Sequence, residues 1–385
     1  MKKIILILFA LTVFTQCSNP GGGEKYIYSC PYRPTISTVG AYTFPDYNDY
    51  NTTALLNPDF IVMSRNLYLG ASLTSLISDG GDVFYNTGVL LDDVIDSEIP
   101  RRILGIAREI EKIRPEIVAL QEVVTFRTGK SNFTLTASEP DANCTEYNFL
   151  DLLEEALMDN NLSYNVAIQS TNADIELTDM KKDIRLTDSD VILVRSDINY
   201  TDSYYEIFNN NFSVSEMGLT VEIKRGYSKT LVDINGTAVH IVNTHLEVPL
   251  DNYTTQIAQV NELLTYVNGL KASNNAIILL GDFNVDPNIG NNTTYQNIID
   301  SNFTDSWDGN EGYTCCYAGD LAYGTRDLLT RVDHIFYWNP EVDTINSVGS
   351  FITEVNYNET IIKTDGSEIW PSDHAGRITG FEIIE

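Results

Sequence analysis

The chain has 385 residues, 43% of them hydrophobic, which is enough for one large folded domain and too apolar for a disordered chain. It carries 54 acidic against 24 basic residues, a formal charge of −30. Such a balance keeps a protein soluble and repels other polyanions, so a nucleic acid would have to approach against the field of the whole molecule.

Residues 1–17 read as an export signal. Met1-Lys2-Lys3 is a short basic start, and Ile4 to Leu11 is an apolar run too short to span a bilayer as a stable helix. Cleavage after Cys17 would place Thr15 and Cys17, both small, where signal peptidase reads. In the alternative, Cys17 is the lipidated first residue of a protein anchored on a bacterial cell envelope, although Gln16 fits poorly before it. Residues 18–56 are rich in Gly, Pro, Tyr and Asn without a sustained period. They read as a tether over Ser18 to Lys25 and then an irregular lead-in, with the folded domain covering 57–385.

Phe60 to Ser64 is a first core strand, followed by Arg65-Asn66-Leu67-Tyr68-Leu69-Gly70 and a long loop containing Gly80-Gly81. Ile99 to Ile113 repeats apolar residues at helical spacing and stops at Pro115. Glu116 to Glu122 is then a short buried strand with a carboxylate at its end. Asn148 to Leu157 is a second helix. Val191 to Val194, Leu219 to Ile223 and His240 to His245 are strands spaced as antiparallel hairpins. Ile257 to Leu270 is a third helix, feeding the apolar strand Ala276 to Leu280, and a short fourth helix lies around Tyr295 to Ile299. Val332 to Tyr337 and Gly376 to Ile384 are the last strands. Helices alternating with strands point to a mixed α+β or α/β build, and no linker or repeat divides 57–385.

Four cysteines follow the signal: Cys30, Cys144, Cys315 and Cys316. In an oxidising compartment they permit two disulfides. A bridge between neighbours is strained, so Cys315 and Cys316 are each expected to reach back to Cys30 or Cys144. A structural metal is the rival reading, with no histidine near either in sequence. Asn-X-Ser/Thr sequons start at twelve positions, a hint of a glycosylated secretory protein.

Polar residues recur at or near the ends of these apolar strands: Asn66, Glu122, His245, Asp282 with Asn284, Asp333, and Asp373 with His374. Packing gives no shared reason for carboxylates and imidazoles to recur there, whereas a site assembled at one sheet edge does. Two of the four histidines belong to the set. His240 reads as a surface or core residue, and His334 points to the opposite face of its strand from Asp333.

Gly281-Asp282-Phe283-Asn284, Arg331-Val332-Asp333-His334-Ile335 and Ser372-Asp373-His374, in this order, resemble the endonuclease/exonuclease/phosphatase superfamily of DNase I, base-excision endonucleases and neutral sphingomyelinases. The resemblance covers roughly Asn57 to Glu385. It implies two packed mixed β-sheets flanked by helices in a four-layer sandwich, a site across one edge, and hydrolysis of a phosphate ester by activated water. Gathered carboxylates would repel one another and a phosphate unless a hard cation sat among them, and oxygen ligands suit Mg²⁺ or Mn²⁺. By the resemblance Glu122 is the principal metal ligand supported by Asn66, and Asp373 reaches a second metal. Asp282 orients or deprotonates the water, and Asn284 stabilises charge on the phosphoryl oxygens. His374 is base or phosphate contact with Asp333 holding its ring. His245 protonates the leaving oxygen, a role suited to a group titrating near neutrality.

Departures narrow the expectation. Thr330 to His334 stands where inositol-polyphosphate phosphatases of the superfamily have Trp-Cys-Asp-Arg, and Gly312 to Cys316 stands where abasic-site nucleases have a tryptophan-rich run. Asn66 to Gly70 and Thr314 to Cys316 look like exported bacterial-type members of unassigned substrate. The expected protein is an exported, monomeric phosphodiesterase on a small or lipid-borne phosphodiester, similar to sphingomyelinase, with a membrane lipid as the possible partner. A secreted DNase I-like endonuclease is the alternative, and it requires Arg65, Arg101, Arg102, Arg326 and Arg331 to line one groove beside the site. A non-catalytic binding module is the third reading, against which the intact polar set argues.

Overall fold

Strands β1 (Phe60–Asn66) and β2 (Ile117–Gln121) are buried nearly throughout, because both of their faces carry apolar or small residues. They pair in parallel, with Asn66 opposite Gln121. Between them lie helices α1 (Val83–Asp96) and α2 (Ile99–Ile113). The stripe expected on α2 is buried at Ile103, Ile106, Ala107 and Ile110. Helix α1 replaces part of the expected long loop. Its signal was the Asp82 cap, which accepts the Phe84 and Tyr85 N–H groups at 3.0 and 3.4 Å, before buried Val83, Thr87, Leu90, Leu91 and Val94.

The computed structural model describes residues 30, 35–39, 55–72, 82–131, 140–216, 219–309, 312–325, 327–342, 344–353 and 359–384. The export signal, the tether, most of the lead-in, Gly80-Gly81 and Arg326 lie outside the described residues. The chain divides into two units, Met1–Cys30 and Pro31–Glu385, and every element named here belongs to the second.

After β2 come β3 (Thr125–Lys130), β4 (Cys144–Asn148), α3 (Phe149–Asp159) and a long hairpin of β5 (Tyr164–Thr178) and β6 (Lys182–Arg195). Then follow β7 (Asn199–Ile207), β8 (Phe212–Glu216), β9 (Leu219–Ile223), β10 (Gly226–Ile234) and β11 (Thr237–His245). Helix α4 (Thr254–Leu270) leads to β12 (Ala276–Asp282), and α5 (Thr293–Asp300) leads to β13 (Thr304–Asp305). The last elements are β14 (Asp333–Trp338), β15 (Ile345–Ile352), β16 (Ile361–Ile362), β17 (Glu368–Ile369) and β18 (Arg377–Ile383).

Two sheets result. One runs β15-β18-β1-β2-β6-β3-β4 with β5 on β6, and the other runs β13-β14-β12-β11-β10-β7. The expected hairpins among β6, β9 and β11 are corrected by this pairing: β9 pairs β8, β11 pairs β10 and β12, and β6 sits in the other sheet. Phe60, Val62, Ile117 and Ile192 of the first sheet pack on Val239, Ile241, Ile278 and Leu280 of the second, forming the central core. Helices α2 and α3 cover the outer face of the first sheet through Ile103, Ile106, Phe149 and Leu153, and α4 with α5 covers the second through Val260, Leu263 and Ile298. The expected four layers, helix, sheet, sheet, helix, are those observed.

Cys315 and Cys316 are disulfide-bonded to each other, so neither reaches back to Cys30 or Cys144 as expected. The peptide between them is cis, and their Cα atoms lie 3.0 Å apart.

Candidate active site

Parallel pairing places four strand ends at one edge of the sandwich. β1 ends in Asn66 and β2 is followed directly by Glu122, while β11 ends in His245 and β12 in Asp282. In the second sheet His245 lies opposite Asp282, and Asp282 opposite Asp333, so these three form one row across three strands. Asp373 and His374 arrive on the segment before β18. At Gly281 (φ +145°) an added Cβ would collide with the Thr244 carbonyl oxygen, so glycine is what lets β12 close on β11 one residue before Asp282.

Asn66 joins the two sheets. Its Nδ2 donates to Glu122 Oε1 and to Asp282 Oδ2, both at 3.1 Å, and its Oδ1 accepts the Tyr68 N–H at 2.9 Å. Glu122 is held at a left-handed φ of +55° with Oε2 accepting the Leu69 N–H at 2.8 Å. Asp282 Oδ1 accepts the Asn284 N–H at 2.9 Å. The Asn284 amide gives one N–H to the Leu246 carbonyl at 2.9 Å and keeps a second to offer.

His374 Nδ1 lies 2.8 Å from Asp333 Oδ2, and its Nε2 lies 3.8 Å from Asp282 Oδ2. Thr314 Oγ1 accepts the Val332 and Asp333 N–H groups at 3.1 Å, fixing the carboxylate side of this pair. Ser372 Oγ accepts the His374 N–H at 3.1 Å and donates to the Asn66 carbonyl at 2.8 Å, fixing the other.

Sequence reasoning missed Arg225, which stands between β9 and β10. Its guanidinium lies 3.0 Å from His245 Nδ1. A guanidinium only donates, so Nδ1 accepts and the ring proton sits on Nε2, 3.4 Å from Asp282 Oδ2. Glu247 and Asp188 flank Arg225 at 3.7 and 3.6 Å, and Asn172 donates to neighbouring Asp190 at 2.8 Å. A lone Arg in a polar loop carries no periodic signal, and only the tertiary contact identifies it.

The electrostatics divide the two histidines. Burial, then Arg225 and His374, drive His245 well below its ordinary value, so it is neutral and does not titrate near neutrality as expected. Burial opposes charge on His374 too, but Asp333, Asp282 and Asp373 outweigh it and raise its pKa well above the ordinary value. Asp282 is raised by burial and then by Asp333, and Asp373 by burial and by Glu122.

These features fit a hard cation. Asp333 Oδ1 and Asp373 Oδ1 are buried with no hydrogen-bond partner, and a divalent ion would return Asp282 and Asp373, which burial pushes toward protonation, to the ionised state. Donor atoms of Asp282, Asp333 and His374 lie within 4.8 Å of one another, and Asn66 hands its amide to both Glu122 and Asp282. All eight expected site residues therefore belong to one edge, with Asn284 in contact through Asp282. Cys316 Sγ adds a neighbour the sequence did not suggest, 3.9 Å from His374 Nε2.

The expected basic groove is not formed by its described candidates. Arg65 is fully buried and paired with Glu109 at 3.0 Å, and Arg102 is buried on the Pro371 carbonyl at 2.8 Å. Arg331 binds Asp305 at 2.6 Å, and Arg101 binds Glu98 at 2.9 Å.

A family model described as "Endonuclease/Exonuclease/phosphatase family" matches residues 83–374. No curated protein matches the chain. Among solved structures it is similar to an endonuclease/exonuclease/phosphatase family protein from Leptotrichia buccalis (18% identity, 84% of this chain and 99% of that one, TM-score 0.53). It is also similar to a humanized D. rerio TDP2 (14% identity, 84% and 98%, TM-score 0.51) and to a mannosyl-6-phosphatase from Bacteroides thetaiotaomicron (16% identity, 85% and 100%, TM-score 0.48).

Proposed function

The chain belongs to the endonuclease/exonuclease/phosphatase family, and from that premise we propose that it is an exported, divalent-metal-dependent phosphodiesterase acting on a small or lipid-borne phosphodiester, similar to sphingomyelinase. The observation that carries this reading is the row His245, Asp282, Asp333 with His374 bonded to its end and Asn66 and Glu122 facing it from the other sheet. Mg²⁺ or Mn²⁺ held by Glu122, Asn66 and the facing carboxylates would polarise the phosphoryl oxygens and stabilise the charge they gain.

The chain's own groups do the rest. Asp282 takes the proton of the attacking water, held in place by the Asn284 N–H on Oδ1 and by Asn66 on Oδ2. His374, cationic because three carboxylates surround it, pairs with a phosphoryl oxygen, and the remaining Asn284 N–H donates to another. In an in-line displacement the leaving oxygen departs opposite the nucleophile. Both imidazole Nε2 atoms lie within 4 Å of Asp282 Oδ2, which supports reading both as groups of the attacking side. His245 thus orients Asp282 and does not protonate the leaving group.

Burial of Arg65, Arg102 and Arg331 and the pairing of Arg101 with Glu98, with a −30 charge, favour a small or lipid-borne substrate over DNA. The N-terminal residues 1–17 and the Cys315–Cys316 disulfide support export, with release or a Cys17 lipid anchor as its two forms. The test is purified protein with Mg²⁺ or EDTA, offered sphingomyelin, bis-p-nitrophenyl phosphate, p-nitrophenyl phosphate and plasmid DNA. EDTA-sensitive cleavage of either of the first two is expected; cleavage of plasmid alone would establish the nuclease, and turnover of none would refute the hydrolase.

A further inference from the structure

A short stretch of main-chain pairing brings two sulfurs up to His374. Cys315 lies opposite Thr330 on one side and His374 on the other. Its carbonyl accepts the Leu329 and Thr330 N–H groups at 2.8 and 2.9 Å, and its N–H donates to the Thr330 carbonyl at 2.9 Å. Toward His374, the Ala375 N–H donates to the Thr314 carbonyl at 2.8 Å and the Tyr317 N–H to the Asp373 carbonyl at 2.9 Å. The Tyr317 ring stacks on Trp370, with centroids 4.4 Å apart and planes within 5°. Main-chain bonds and a stacked ring therefore hold Thr314 to Tyr317 beside Asp373 to Ala375, whatever the state of the sulfurs.

Donor atoms of Cys315, Cys316 and His374 lie within 4.8 Å of one another, with Cys316 Sγ 3.9 Å from His374 Nε2. Cys315 and His374 are buried, whereas Cys316 is partly open to solvent. A tetrahedral Zn²⁺ with ordinary bond lengths spaces sulfur and imidazole nitrogen about 3.5 Å apart, close to the separation already present. Two thiolates and an imidazole are a soft set, which suits Zn²⁺ better than the hard Mg²⁺ or Mn²⁺ that carboxylates attract. In the disulfide each sulfur is taken by the other, so the donor set is complete only when the bridge is open.

From this geometry we infer that Cys315, Cys316 and His374 form an inhibitory Zn²⁺ site, uncovered by reduction of the Cys315–Cys316 bridge. A dithiol reductant gives the bridge two electrons and two protons, leaves two thiols and becomes a disulfide itself. Zn²⁺ then replaces both thiol protons and the proton on His374 Nε2, and all three pass to solvent. With Nε2 bound to the metal, that atom has no N–H to offer a phosphoryl oxygen, and turnover stops. Zinc binding is independent of the catalytic reading; inhibition rests on it.

In the test, the full chain is treated with dithiothreitol or left oxidised, freed of reductant, and titrated with Co²⁺ as a spectroscopic stand-in and then with Zn²⁺. The reduced protein is expected to show thiolate-to-cobalt charge-transfer absorption that stoichiometric Zn²⁺ abolishes, and the oxidised protein to show none. Cys316→Ser should lose the absorption, although it keeps Cys30 and Cys144, which are also disulfide-bonded. On bis-p-nitrophenyl phosphate with saturating Mg²⁺, Zn²⁺ should inhibit the reduced wild type at a concentration at least about 10-fold lower than the oxidised one. No absorption in the reduced wild type, or absorption that survives in Cys316→Ser, overturns the site; binding with turnover unchanged overturns the inhibition. The oxidised wild type is the same control without a substitution, so the comparison decides even where Cys316→Ser fails to fold. Zinc binding by a protein that turns over no phosphodiester in either state would confirm the site and fail the hydrolase reading.

Discussion

Asp333 and His374 are joined at 2.8 Å through Oδ2 and Nδ1, leaving Nε2 as the imidazole atom that faces Asp282. The carboxylate both aims the ring and helps keep it cationic. Asp333→Asn keeps the shape and removes the charge, so kcat should fall by about 10² to 10⁴-fold with little change in Tm. Asp333 is among the groups that raise the His374 pKa, so its loss lowers that pKa, and the alkaline limb of the rate profile moves to lower pH. A pH–rate profile of both proteins on bis-p-nitrophenyl phosphate checks this; an unmoved alkaline limb would show that His374 does not act as a cation.

Glu122 accepts from Asn66 and from the Leu69 N–H, so both of its oxygens are aimed before any ion arrives. Glu122→Gln preserves size and removes the anionic donor. The Mg²⁺ concentration giving half-maximal rate should rise by at least about 10-fold, and saturating Mg²⁺ should restore part of the activity. Titration of Mg²⁺ at fixed substrate measures it. An unchanged half-maximal concentration with lowered kcat would remove Glu122 from the metal.

How much of this was legible in the chain depends on which physical signal each part leaves. Asn66, Glu122, His245 and Asp282 follow or end buried apolar runs, and the change from apolar to polar at a strand terminus is readable directly. β5 and the outer half of β6 left no such trace, because their pairing is secured by cross-strand polar contacts such as Arg185 with Asp174, where apolar alternation would otherwise have shown. The neutrality of His245 was hidden for a different reason: it is set by burial and by Arg225, 20 residues away in sequence and 3.0 Å away in space. The Cys315–Cys316 bridge leaves no sign in the sequence, because adjacent cysteines are ordinarily strained partners.

His334 reports on the same edge through stability. It lies under the row, fully buried, its Nε2 donating to the Val285 carbonyl at 2.9 Å and its Nδ1 facing the Arg331 guanidinium at 3.2 Å. Burial, against the opposing pull of Asp305, lowers its pKa from 6.5 to about 4. A histidine depressed on folding contributes stability above pH 6.5 and loses it as pH falls toward 4, because the unfolded chain takes up the proton first. The loss from this group is about 2 kcal/mol at pH 5. Urea unfolding at pH 7.5 and 5 should show a difference smaller by roughly that amount in His334→Gln than in the wild type; equal differences would mean that the ring is already charged in the folded protein.

His245 offers the sharpest test of which side of the phosphorus each group occupies. Its Nδ1 is taken by Arg225, its Nε2–H points at Asp282 Oδ2 3.4 Å away, and its pKa lies well below the ordinary value, so it has no spare proton to give a departing alkoxide. A group that protonates the leaving oxygen matters most when that oxygen is a poor leaving group, whereas one that orients the base matters equally for all. His245→Gln, compared on diesters with p-nitrophenol and with a simple alcohol as leaving group, should therefore lower kcat/KM by the same factor for both, about 10². A much larger loss with the alcohol would place a proton on His245 that this hydrogen-bond pattern does not allow, and would move the ring to the leaving-group side.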